Sequence, residues 1–138
     1  MANDEEKGLP MTGVRWKDEP DEHDYPAAGA YLGLLADPAT TAALVAALRE
    51  APVERHKAKD ILRAAGLPDL PLDNVHVAKD VAKVKAGKPL SPVLLVRGDV
   101  SRAIPLQIAD GYHRVCASYH LDEDTDIPCR LADLPPGR

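Results

Sequence analysis

The residues most suited to chemistry stand together at Asp110-Gly111-Tyr112-His113-Arg114. The short apolar run from Leu106 to Ala109 predicts a strand ending in Asp-Gly, and a helix opening around His113-Arg114 and running to about Leu121. Such a corner presents free backbone N–H groups at a helix start, where an anion is favoured. Gly111 allows close backbone approach, and Arg114 adds a planar fork of donors. An arginine in the first turn is opposed by the helix dipole and calls for a compensating anion. Asp110, four residues earlier, is one such anion; a bound phosphate is the other.

His113 and Asp110 are the candidate catalytic residues, since both exchange protons within reach of physiological conditions when their surroundings shift them. A metal reading of His113, His120, Asp122, Asp124 and Asp126 lacks HExxH or EF-hand spacing, so no dedicated metal site is expected. Cys116 lies one turn beyond His113, but its neighbours Val115, Ala117 and Tyr119 point to a core cysteine. Cys129 alternates with Ile127 and Leu131 and is read the same way.

The elements that must position this corner follow from pattern. Residues 1–26 are acidic, carry Pro10, Pro20 and Pro26, and predict a disordered or loosely draped leader, with Met11, Val14 and Trp16 able to pin a short piece. Ala27 to Ala36 reads as a short helix or docking segment. Asp37-Pro38 starts a helix to about Glu50, with Asp37 as N-cap. A second helix is predicted from Val53 to Ala65, stopped by Gly66, with a basic face of Arg55, His56, Lys57, Lys59 and Arg63. Asp73 or Asn74 caps a third helix, Val75 to Ala86, whose Val77, Val81 and Val84 share one side while Lys79, Lys83, Lys85 and Lys88 lie outside. Pro92 to Val96 reads as a strand buried on both faces, 98–103 as a hairpin-like connection, and 127–131 as a half-exposed final strand. The fold class is therefore α/β (α+β), a small mixed sheet preceded by helices.

Composition narrows the partners. One Trp, four Tyr and no Phe make base-stacking platforms improbable. The net charge of −5 resides in residues 1–25, which hold eight acids against three bases; the rest carries fourteen of each. The acidic balance is thus a property of the leader and does not exclude a polyanion elsewhere. No apolar run approaches a membrane span and no secretory signal is read, so a cytoplasmic location with reduced thiols is the expectation.

The order strand, connection, strand, G-x-x-R-x-x-A on a helix start, then a short Ile-Pro strand resembles the ParB/sulfiredoxin-like fold. The box is Gly111-Tyr112-His113-Arg114-Val115-Cys116-Ala117, and Gly87 followed by residues 89–96 (PLSPVLLV) resembles that fold's lead-in. The likeness covers about residues 72–132. On it, 1–26 is a leader, 27–71 a helical extension and 72–134 the ParB/sulfiredoxin-like domain. Residues 57–67 also resemble bacterial relatives that share ADGYHR.

The resemblance implies a nucleotide phosphate held by the box, as ParB proteins hold CTP, sulfiredoxin holds ATP and a free-serine kinase uses the same corner. Gly111, Tyr112, His113 and Arg114 would form the cradle, with Lys79 and Lys83 nearby. A nucleoside triphosphate would bring Mg2+, for which Asp110 or Glu123 could serve. Tyr112 stands where sulfiredoxin has its catalytic cysteine, so sulfinic acid reduction is not expected. ParB proteins usually carry Glu-Arg or a similar pair before the box arginine, where this chain has Tyr-His, and a helix-turn-helix domain follows; sequence-specific DNA binding is accordingly not expected. The leading expectation is a nucleotide- or phosphate-binding domain, with phosphoryl transfer or nucleotide hydrolysis as the reaction class if there is one. The alternative is a non-catalytic module that binds nucleic acid or protein through the basic helices; nuclease activity ranks last for want of a carboxylate set. A homo-oligomer is compatible with either.

Overall fold

Val93, Leu94, Leu95 and Val96 are all buried, the signature of a strand covered on both faces. In the computed structural model, which describes residues 13–135, this strand lies inside a four-stranded mixed sheet of order β1-β4-β2-β3. The strands are β1 (Val53–Lys57), β2 (Val93–Val96), β3 (Gln107–Asp110) and β4 (Asp126–Ala132). β2 runs parallel to β4 and antiparallel to β3, and β4 runs antiparallel to β1. The helices are α1 (Asp24–Leu32), α2 (Pro38–Glu50), α3 (Ala58–Ala65), α4 (Val75–Lys85) and α5 (Tyr112–Leu121).

Alternation along β2 divides the core. Val93 and Leu95 join Ile61, Val77, Val81, Val115 and Ile127 beneath α3, α4 and α5. Leu94 and Val96 join Tyr25, Ala28, Leu44 and Leu48 beneath α1 and α2. Helices thus cover both faces of the sheet, which is the layer arrangement that buries an all-apolar strand. No helix among the described residues is long and apolar enough to cross a membrane.

Several helix ends fall where their residues dictate. Asp37 accepts a hydrogen bond from Thr40 N at 2.7 Å, with Pro38 at the first helical position. Asn74 accepts from His76 N and Val77 N at the start of α4. Gly66 adopts the left-handed conformation after α3.

Three expectations are corrected. Val53–Lys57 is a strand, not the opening of a helix, because its backbone pairs residue by residue with β4. Helix α3 begins only at Ala58, where Ala58 N and Lys59 N donate to Thr125 O and Glu123 O. The last strand is not half-exposed: β1 closes its outer side, and Ile127, Pro128 and Cys129 are buried. Of the leader, residues 1–12 lie outside the described residues; from Val14 on it is docked rather than loose, with Val14 and Trp16 pinning it as expected. Val14 is fully buried, and Leu90 exchanges backbone bonds of 2.8 Å with Arg15 O and Lys17 N. Trp16 packs there too, whereas Met11 lies outside the described residues. Because β1 comes from residues 27–71, that region shares one sheet with residues 72–134.

Candidate functional site

The corner is built by close approach. Gly111 has φ 112°, a left-handed conformation, and a Cβ placed on it would lie 2.5 Å from Val93 Cγ1. Glycine therefore lets β3 turn into α5 while pressed against β2. Helix α4 packs alongside α5 through Val77 and Val81, with Val84 further along the same side. Residues 76, 79, 80 and 83 then fall on one flank of α4, at spacings of three and four.

His76, Lys79, Asp80 and Lys83 from α4 meet Asp110, Gly111, His113 and Arg114 around an open cleft of about 200 Å³. The rings of His76 and His113 stand 4.7 Å apart. Burial, with His76 adding repulsion, holds the imidazole of His113 below its ordinary range. Burial raises the carboxyl of Asp80, against the opposing pull of Arg114, Lys83, His113 and Lys79. The structure thus brings together Lys79, Lys83, Gly111, His113, Arg114 and Asp110 from the expected set.

Arg114 is committed largely to the protein itself. One terminal nitrogen donates to Asp110 Oδ2 at 3.0 Å, to Pro92 O at 3.3 Å and to Asp24 Oδ2 at 3.4 Å. Asp24 in turn accepts from Ser91 Oγ at 2.5 Å, and Ser91 accepts from Asp21 N. Burial lifts the carboxyl of Asp110, Arg114 pulls it down, and Asp24 pushes it up again. Arg114 Nε is buried without a hydrogen-bond partner.

Two assignments move. Tyr112 is not part of the cleft; its hydroxyl donates to Pro68 O at 2.6 Å and its side chain packs on the core. Glu123 lies beyond the opposite end of α5, a ten-residue helix of roughly 15 Å, and cannot share a cation with Asp110. His120 is held by Leu70 O and Asp69, and Asp124 by Lys57 and Lys59, so the 120–126 cluster ties down residues 69–70, the end of β1 and the start of α3.

Sequence reasoning missed Asp24, Ser91, His76 and Asp80. The last two were open to discovery, since they share the α4 flank with Lys79 and Lys83. Asp24 gave no local signal, being 86 residues from Asp110 in an acidic stretch. Asp21, His23 and Asp24 have ligand-type atoms close together. Asp21 is already paired with Lys17 at 2.7 Å and Asp24 with Arg114, which leaves little negative charge for a cation.

Both cysteines are core residues. Burial pushes the Cys116 thiol up to about 11 and the Cys129 thiol up to about 12. Near pH 8 only on the order of a thousandth of Cys116 is thiolate. Iodoacetamide is therefore expected to leave the folded protein unlabelled for hours and to alkylate both thiols in denaturant, as read by mass spectrometry. Fast labelling of Cys116 in the folded chain would show a thiol reactive despite its burial.

Comparison with protein-family models, with curated proteins and with solved structures finds no match to this chain.

Proposed function

We propose that the α4–α5 cleft binds a phosphate group, carried by a nucleotide in keeping with the ParB/sulfiredoxin-like resemblance of the box. One observation supports this above the others. Lys79, Lys83, His76 and His113 converge on the backbone at the start of α5, with the Arg114 guanidinium behind it. Two lysines and two imidazoles beside a helix start are donors that suit an oxyanion.

A volume of about 200 Å³ suits one or two phosphoryl groups, with the remainder of a nucleotide outside the cleft. Arg114 is occupied by Asp24 and Asp110, so phosphate contact falls mainly to the lysines, His113 and backbone. Arg114 braces the corner from behind. If Mg2+ accompanies the nucleotide, Asp80 is the carboxylate at hand, because Asp110 is engaged by Arg114. A reaction at the bound phosphate would belong to phosphoryl transfer or hydrolysis, where positioning and charge neutralisation supply most of the rate.

The alternative, a nucleic-acid or protein surface on the basic stretches Arg55 to Arg63 and Lys79 to Lys88, has less support in its first stretch. β1 and α3 divide that stretch, Lys57 and Lys59 face Asp124, and Arg63 faces Asp60.

Calorimetric titration with ATP, CTP, GTP and inorganic pyrophosphate, with and without Mg2+, tests the proposal. Lys79→Ala and Lys83→Ala are each expected to weaken binding roughly tenfold, the scale of a charge-assisted hydrogen bond. Binding is expected to tighten as pH falls through the lowered range of His113, since the imidazolium attracts the anion. No binding of any of the four anions at low salt would overturn the reading.

A further inference from the structure

A second concavity lies at the other end of the sheet. Gly111 abuts Val93 at the start of β2, whereas this cleft opens beyond Val96, a strand length or roughly 13 Å away. Its volume is about 700 Å³, within the range of small-molecule sites. Its floor and walls are Ile61, Ala64, Leu95, Ile104, Leu106 and Leu131. It lies on the α3 side of the sheet and extends past the carboxyl end of β2.

The cleft is held open by bonds of its own. Asp99 N donates to Ile104 O and Ile104 N to Asp99 O, closing the turn that forms one wall. Leu106 N donates to Ala64 O at 3.1 Å and ties that wall to α3. Gly98 admits the turn: a Cβ there would lie 2.2 Å from Ile104 O. Val100, at the tip of the turn, is 98% exposed and adds an apolar rim.

Four polar residues line the cleft beside these apolar ones, His56, Asp60, Arg97 and Asp99, and each is engaged within the chain. Arg97 Nε donates to Asp133 Oδ1 at 2.6 Å, and Asp60 pairs with Arg63 at 3.2 Å. His56 pairs with Glu54 at 3.0 Å, while Asp99 accepts from Ser101 N and Ser101 Oγ. The ion pairs among them are exposed and contribute little, so the binding surface on offer is the apolar wall, where an apolar ligand gains by displacing water.

We propose that this cleft binds an uncharged, mainly apolar small molecule, at a site separate from the phosphate cleft. The walls are preformed and concave, which favours a small ligand over a protein surface. The proposal does not depend on phosphate binding.

Fluorescence titration of the full chain with Nile red, an uncharged apolar dye, tests it. Saturable one-to-one binding with a blue-shifted emission is expected. Ala64 is exposed on α3, so Ala64→Trp fills the cleft without disturbing the core and is expected to weaken binding at least tenfold. Leu106→Asp, which places a charge on the wall, is expected to do the same. Circular dichroism and melting confirm that each variant is folded. Lys79→Ala with Lys83→Ala is expected to leave dye binding unchanged. Absence of saturable binding, or equal affinity in both cleft variants and the parent, would overturn the proposal. So would binding seen only after removal of residues 136–138, which would make the chain's own tail the occupant.

Discussion

Gly111→Ala is expected to lower the midpoint of thermal unfolding by roughly 10 °C, from a loss of about 3–4 kcal/mol. Two costs combine. The left-handed backbone at φ 112° disfavours any Cβ, and that Cβ would meet Val93 Cγ1 at 2.5 Å and Arg114 Nη2 at 2.9 Å. Val93 is fully buried in β2 and has no room to retreat. Gly87 supplies the control, since its φ is 77° but a Cβ there meets nothing within 4 Å. Gly87→Ala should cost only the conformational part, about 1–2 kcal/mol. Calorimetric melting of the two variants separates strain from collision. Equal shifts would show that the approach of the corner to β2 is not what fixes residue 111 as glycine.

Much of this corner was legible because its causes are local. Asp-Gly after an apolar run, Asn74 before α4 and Gly66 after α3 each act within a turn or two of themselves. The buried strand was legible too, since four adjacent apolar residues admit no solvent face. Strand β1 was not. Val53–Lys57 holds one apolar residue among four polar ones, and its conformation is decided by pairing with β4, about seventy residues away. Its alternating half-burial reflects an edge strand, whose charged side chains also discourage pairing with other chains. The candidate site divides in the same way. The helical spacing of residues 76, 79, 80 and 83 already puts Asp80 on the flank of Lys79 and Lys83. Asp24 could not have been found, because only the three-dimensional return of α1 to β2 and β3 brings it to Arg114. Its place in an acidic run suggested a solvated residue, whereas it is 4% exposed.

The same hidden partner gives Arg114 its largest expected effect. Arg114→Met keeps much of the side-chain volume but leaves Asp24 and Asp110 facing one another without a cation. Breaking a buried charge pair in this way costs about 3–5 kcal/mol, and the partial exposure of Asp110 places the expectation near the lower figure. The loss should depend on pH. Burial already raises the Asp110 carboxyl in the parent, and removing Arg114 removes the main influence that lowers it. A carboxyl raised in the folded state favours folding below the ordinary carboxylate range, and that contribution is lost as pH rises through the folded value. The deficit of Arg114→Met should therefore be greatest at neutral pH and smaller by pH 5, as measured by urea unfolding at both. Asp110→Asn in the same background removes the charge outright and should recover more than half of the loss at neutral pH. A deficit equal at both pH values, unchanged by Asp110→Asn, would mean that Arg114 supports the corner by packing its stem and not by balancing the two carboxylates. The distinction bears on the proposed cleft, because a guanidinium held by two internal carboxylates fixes the start of α5 whether or not a phosphate is bound, leaving Lys79 and Lys83 to set the affinity.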